Sequence, residues 1–287
     1  MPKSITQSFS SFKQNLEITD LQGGTVSTRQ KNVRGVLDNG LTVLDSFLTG
    51  SYSRSTMIAP LKEADVDIFV VLDPSYYKKD GPAYLLDKVK GVLRQEYKTP
   101  DISRNGQAVT IWFSDFMVDV VPSFYRQGGG YLIPNTITKQ WVETDPKKHV
   151  TLFSQANQSH NSMLKPVIKM LKCWNKNISF EFSNFHIEVL AYHIFNNVRI
   201  DDYSSGVRYF FDKARSEVRK QNPDPSGFSA DVGAYLNSEA KILKAVSNLT
   251  TAYNRAVKAE TNAAEGRIED AVNEWRKIFG SRFPSYG

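Results

Sequence analysis

Residues 50–72 read Gly50-Ser51-Tyr52-Ser53-Arg54-Ser55-Thr56-Met57-Ile58-Ala59-Pro60-Leu61-Lys62-Glu63-Ala64-Asp65-Val66-Asp67-Ile68-Phe69-Val70-Val71-Leu72. Ile68 to Leu72 is apolar and largely β-branched, the pattern of a buried strand. Side chains alternate along a strand, so Asp65 and Asp67 share a face, roughly 6–7 Å apart along the backbone. Two carboxylates so placed, with nothing basic between them, repel each other. A bound divalent cation removes that cost, and hard oxygen donors suit Mg²⁺. The Gly50-Ser51 turn upstream offers backbone N–H groups and a hydroxyl to a phosphate. The combination points to a metal-dependent nucleotide site.

A third carboxylate extends the pattern. Residues 116–121 read FMVDVV, a second apolar strand with Asp119 as its one charge. A lone Asp in such a strand is costly unless it is paired, protonated or metal-bound. Asp65, Asp67 and Asp119 from adjacent strands would hold two metal ions about 3.5–4 Å apart, the arrangement that drives in-line phosphoryl chemistry. The alternative is that Asp65 caps its strand and Asp119 pairs with a buried arginine.

The 287 residues suffice for a sizeable core, and 40% hydrophobic with 23% charged residues is an ordinary globular balance. No apolar run approaches the ~18–20 residues of a membrane span, and residues 1–18 lack a signal-peptide core. The expectation is a cytoplasmic protein without a membrane partner. The single cysteine, Cys173, excludes an internal disulfide and a Cys-rich zinc site. A net charge of +6 favours polyanionic partners such as nucleotides or nucleic acid, or else only solvates the surface.

Along the chain, residues 4–20 read as an amphipathic helix with Phe9, Phe12 and Leu16 on one face, broken by Gly23-Gly24. A second helix spans about 27–37. Strands are expected at 43–48, 65–72, 107–113, 116–121 and 131–133, with Pro122 ending the fourth. Ser53 to Met57 begins a short helix, and 82–97 is a longer one. From about His149 the pattern turns helical, including a pair at 238–258 and 263–279 whose face is Ile242, Val246, Leu249, Tyr253 and Val257. Strands first and helices later give an α+β fold, divided into 1–148, with the N-terminal helices, and 149–287, a division that leaves open packing of those helices against the helical lobe.

In the helical half, Lys165, Lys169, Lys172 and Lys176 fall on one helix face, opposite Met163, Val167, Met170 and Trp174. They form either a solvated face or a set in which one or two lysines contact a triphosphate across a cleft. Ser183-Asn184-Phe185 opens the following helix. Its free N–H groups would add to a phosphate site, and Phe185 either stacks on a base or belongs to the core.

Gly50-Ser51, Asp65-x-Asp67 and Asp119 resemble the nucleotidyltransferases related to DNA polymerase β. Residues 168–174 (IKMLKCW) and 183–188 (SNFHIE) are similar to the helical lobe of the cyclic GMP-AMP synthase and oligoadenylate synthetase branch. Pro223-Asp224-Pro225 and Ala230-Asp231-Val232 look like that branch's Asp-Pro-rich loop. Compact bacterial members are the CD-NTases of anti-phage defence. The resemblance spans roughly residues 30–260. It implies a polymerase β-like sheet lobe and a helical C-terminal lobe that closes the nucleotide cleft.

Several roles follow from the resemblance. Gly50 and Ser51 would contact the donor's β- and γ-phosphates. Asp65 and Asp67 would bind both of two Mg²⁺ ions, with Mn²⁺ as a substitute. Asp119 would bind the catalytic ion and favour deprotonation of the attacking hydroxyl. Lys169 and Lys172 would neutralise triphosphate charge, Ser183 and Asn184 would contact phosphate, and Phe185 would stack a base. The zinc-binding insertion of the animal DNA sensor is absent. The implied function is synthesis of a cyclic oligonucleotide second messenger from nucleoside triphosphates, with no nucleic acid needed for the chemistry. Two rivals are a template-independent transferase acting on RNA or a small acceptor, and an inactive nucleic-acid-binding module. The last residues, SRFPSYG, read as an exposed tail. Its Gly287 either resembles the C-terminal handle by which partner enzymes conjugate some CD-NTases, which implies a regulatory or conjugating partner there, or is an incidental glycine at a frayed end.

Overall fold

Two helices come first, α1 (Ile5–Asn15) and α2 (Asp20–Gly40). Gly23-Gly24 does not break the second. Thr19 and Gln22 form a reciprocal capping box, the Thr19 hydroxyl accepting from the Gln22 N–H and the Gln22 side chain from the Thr19 N–H. Satisfying both N-terminal donors starts the helix ahead of the glycines, which then cost only about 1 kcal/mol each relative to alanine. The computed structural model describes residues 3–179, 181–229 and 231–287, so Ala230 of the Asp-Pro-rich loop lies outside the described residues.

The chain divides into two units, Ile18–Val150 and Met1–Glu17 with Thr151–Gly287. The first holds β1 (Val43–Leu48), α3 (Gly50–Ser53), β2 (Asp65–Leu72), α4 (Pro82–Glu96), β3 (Ile102–Asn105), β4 (Ala108–Trp112), β5 (Met117–Tyr125), β6 (Tyr131–Asn135) and β7 (Gln140–Thr144). The strand order is β1-β2-β5-β4-β3, with β6 pairing β5 and β7. Only β2 and β5 run parallel, in register Asp65↔Met117 and Asp67↔Asp119. The short helix starts at Gly50 rather than Ser53. The short polar strand β3 and the hairpin partner β7 lack the apolar alternation that marks a strand in sequence.

Pro122 does not end β5, which runs on to Tyr125. It falls between the last β4 pair, Val109↔Val120, and the first β6 pair, Phe124↔Leu132, where that side of β5 has no strand partner. A missing N–H is tolerated at such a place.

One sheet face packs Val66, Ile68, Val70, Ile111, Val118 and Val120 against Val33 and Leu37 of α2 and Leu86, Val89 and Leu93 of α4. Alternation therefore turns Asp65, Asp67 and Asp119 to the opposite face. Farther along, that face closes over a smaller cluster of Phe69, Val71, Tyr131 and Ile133. The carboxylates thus stand at the open end of a rigid platform.

The second unit is helical: α5 (Pro146–Ser159), whose first turn belongs to the sheet unit, α6 (Leu164–Asn177), α7 (Asn184–Ile194), α8 (Tyr203–Glu217), α9 (Glu239–Ala264) and α10 (Ile268–Phe279). It also takes α1, so of the two N-terminal helices the first groups with the helical unit and the second stays with the sheet. Phe9 meets Trp275 at 4.9 Å and Phe283 at 5.1 Å between ring centres, and Phe12 meets Phe279 at 4.6 Å. Phe283 is fully buried in this aromatic set, so the exposed tail begins after it rather than at Ser281. In α9 the buried positions are Ala245, Leu249, Ala252, Ala256, Ala259 and Asn262, whereas Val257 is exposed. The larger apolar residues suggested a different stripe. Small side chains form the true one, because they let α8 and α10 approach closely.

Candidate active site

Asp65 and Asp67 occupy the first and third positions of β2, and Asp119 the third of β5. The parallel register sets Asp67 directly beside Asp119. One carboxylate oxygen from each of the three lies within 4.8 Å of the others. Asp65 is exposed, Asp67 half-buried and Asp119 buried. Asp119 accepts a hydrogen bond from the Thr110 hydroxyl on β4 at 2.5 Å, and among the described residues no arginine pairs with it. Burial pushes the Asp119 carboxyl above the ordinary carboxylate range. The Thr110 hydrogen bond opposes that shift, and the nearby Asp65 charge adds to it.

Gly50 closes the other side. Its φ is +64°, in the left-handed region, and a Cβ there would lie 1.7 Å from Asp67 Oδ2. Only glycine lets the backbone pass this close to the carboxylate. The Thr49 N–H donates to the Asp67 carbonyl at 2.9 Å, fixing the turn to β2. Ser51 follows half-buried in α3, and its carbonyl accepts from the Thr56 and Met57 N–H groups at 2.9 and 3.1 Å. Three carboxylates that bring an oxygen each within 4.8 Å of one another suit a hard divalent cation.

The remaining expected site residues lie in the helical unit. Lys169 and Lys172 do not form a solvated face. Lys172 is buried and pairs with buried Glu188 of α7 at 2.5 Å, and Lys169 pairs with Glu17 at 2.5 Å. Ser183 caps α7, its hydroxyl accepting from the His186 N–H at 3.1 Å. The Ser183 N–H donates to the Tyr235 hydroxyl, which lies 2.9 Å from His186 Nδ1. Burial pushes His186 down to about 4, so the ring is neutral at pH 7. Ser183 and Asn184 are exposed at the start of α7, and Phe185 is half-buried. Sequence reasoning missed Thr110, Glu188 and Tyr235. Thr110 alternates with apolar neighbours on β4, the one signal that faced it toward Asp119.

Residues 3–157, more than half of the chain, match the family described as the Second Messenger Oligonucleotide or Dinucleotide Synthetase domain. The chain is a member of that family, the bacterial CD-NTases. As a member it is a nucleotidyltransferase of the cyclic-oligonucleotide synthase kind. It is 23% identical to a probable cyclic nucleotide synthase of Bacillus cereus, over all of this chain and 99% of that one. It is 28% identical to a cyclic AMP-AMP-AMP synthase of Acinetobacter, over 83% of this chain and 72% of that one. The fold is that of Escherichia coli CdnC, solved with ATP, at a TM-score of 0.76 and 19% identity over 98% of this chain and 99% of that one. Among the described residues no helix of this CD-NTase is long and apolar enough to cross a membrane.

Proposed function

We propose that this CD-NTase joins nucleoside triphosphates into a cyclic oligonucleotide by Mg²⁺-dependent transfer at Asp65, Asp67 and Asp119, as a signal in anti-phage defence. The observation that carries the reading is the convergence of three carboxylates within 4.8 Å beside a glycine turn that only glycine can make. A ribose hydroxyl of one nucleotide forms a bond to the α-phosphorus of another. The bond to the bridging oxygen of pyrophosphate breaks, and the hydroxyl proton leaves. A second such step within one product closes the ring. Two bound Mg²⁺ ions, or Mn²⁺ in their place, would supply charge neutralisation for the phosphate oxygens and the attacking oxygen.

The protein's part is positioning and electrostatics. Asp65 and Asp67 offer oxygen ligands at the exposed end of β2. Asp119 offers another beside the attacking hydroxyl, and Thr110 holds its orientation. Gly50 and Ser51 take the leaving phosphates. The relatives' names support cyclic products, and the resemblance to compact bacterial CD-NTases supports the defence role. Incubating the pure protein with all four labelled triphosphates and Mg²⁺, then resolving products by mass spectrometry, tests the chemistry. Cyclic products from nucleotides alone are expected. Products that appear only when RNA or a small acceptor is added would establish the rival transferase. A plaque assay in cells carrying the wild-type or Asp119→Asn gene tests the biological role.

A further inference from the structure

Trp112 ends β4 on the face that carries the carboxylates. The register sets Asp65 opposite Met117 and Met117 opposite Trp112, one row across three strands. The adjacent row is Asp67, Asp119, Thr110 and Ser103. Strands lie ~4.8 Å apart, so the Trp112 backbone stands about 10 Å from that of Asp65, one nucleoside's breadth from the metal cluster. Trp112 keeps 47% of its surface exposed, whereas Trp174 and Trp275 are buried. Its Nε1–H donates to the Ser103 hydroxyl at 2.9 Å. That bond uses the ring's polar edge and holds the indole in place, with much of its apolar surface left open beside an acidic site. An indole in this state is a ready platform for a nucleobase.

The flank decides which base. Gly50 and Ser51 approach the carboxylates from the β1 side, at Asp67. Trp112 lies on the opposite flank, beyond β5 and Asp119. In-line displacement sets the attacking oxygen opposite the leaving one. If the leaving phosphates rest on the Gly50 side, the attacking nucleotide enters from the β4 side. We propose that Trp112 stacks the base of the acceptor nucleotide and sets its affinity, an inference that rests on the reaction proposed above.

The test uses the full chain with two analogues that separate the roles. A 2′,3′-dideoxynucleoside triphosphate donates but has no hydroxyl to attack. An α,β-methylene triphosphate attacks but cannot be cleaved at the α-phosphorus. With one saturating and the other varied, the linear product gives a KM for each role, using the purine pair that wild type joins fastest. Trp112→Ala is expected to raise the acceptor KM about tenfold or more and to leave the donor KM within about twofold. Trp112→Phe, which keeps an aromatic face without the N–H, should recover most of the loss. Equal changes in both KM values, or no change in either, would overturn the inference while leaving the reaction intact. So would a Trp112→Phe enzyme as weak as Trp112→Ala. Wild type that joins no analogue pair and makes no product from natural triphosphates would overturn the reading of the reaction, and this inference with it.

Discussion

Asp119 holds two opposed demands in one side chain. Burial and the Asp65 charge disfavour its ionised form, yet ligation of a cation needs that form. Its folded pKa lies above the unfolded one. The stability this contributes is therefore present below the ordinary carboxylate pKa and lost as pH rises through the raised value. At neutral pH the metal-free protein carries a net penalty. Asp119→Asn should keep the hydrogen bond from Thr110, remove the penalty and unfold at the same or a higher temperature without metal. It should lose about a hundredfold or more in product formation. Added Mg²⁺ should raise the wild-type melting temperature more than the variant's, which keeps Asp65 and Asp67 but lacks the third carboxylate, and that difference should fade as pH drops through the raised Asp119 pKa. A variant that still makes product at near wild-type rate would remove Asp119 from the site. Gly50→Ala tests the same cluster from its other side. A methyl group 1.7 Å from Asp67 Oδ2, on a backbone with positive φ, must displace either the turn or the carboxylate. The expected result is a loss of roughly 1–2 kcal/mol in stability, with a far larger loss of activity. Ordinary activity in Gly50→Ala would mean that the turn is not held as described.

The α6–α7 pair shows how an element hides its partners from a one-dimensional reading. Lys172 and Glu188 are both nearly inaccessible and pair with each other, so removing one side chain takes an ion-pair partner from a buried charge. Lys172→Met alone should cost about 3–5 kcal/mol in chemical denaturation, whereas Lys172→Met with Glu188→Leu should recover most of it. The double variant then separates two roles. Triphosphate affinity equal to wild type would make the pair a brace for α7, which carries Ser183, Asn184 and Phe185. A tenfold loss in a well-folded double variant would restore Lys172 as a phosphate contact. Sequence periodicity put these lysines on one face correctly, but a stripe opposite an apolar face gives no sign of what covers it. The covering carboxylates come from Glu17 and Glu188, far away in the chain. The sheet was more legible. The β2 and β5 patterns fixed the face of all three aspartates, because alternation with period two leaves little choice once one face is apolar. Edge strands β3 and β7, the run of α2 through Gly23-Gly24 and the passage of β5 through Pro122 were not legible. Each depends on a capping box or a strand pairing that outweighs local propensity. For the same reason Trp112 read as part of an ordinary strand until the register placed it beside the acidic face.

At the scale of the molecule, the sheet unit is an insertion. Residues 18–150 interrupt a helical unit made from both ends of the chain. The helical unit's core closes through α1, whose Phe9 and Phe12 interlock with Trp275, Phe279 and Phe283. The sheet unit has its own core between β2, β5, α2 and α4. Two cores permit two cooperative units of unequal stability, each reporting its own damage. Phe12 is fully buried, so Phe12→Ala should remove about 3–5 kcal/mol. That loss should fall on the helical unit. Hydrogen exchange should quicken in α8 and α10, although neither adjoins the mutation in sequence, and amides of β2 and β5 should keep wild-type protection. Thermal unfolding should broaden or split, with the earlier transition moving. The opposite substitution, Val120→Ala in the sheet core, should spare α8 and α10 and expose β2. Uniform loss of protection across both sets of elements in the Phe12 variant would mean that the chain unfolds as a single body. The aromatic closure by α1 would then stabilise the sheet that carries the active site as much as the helices it touches.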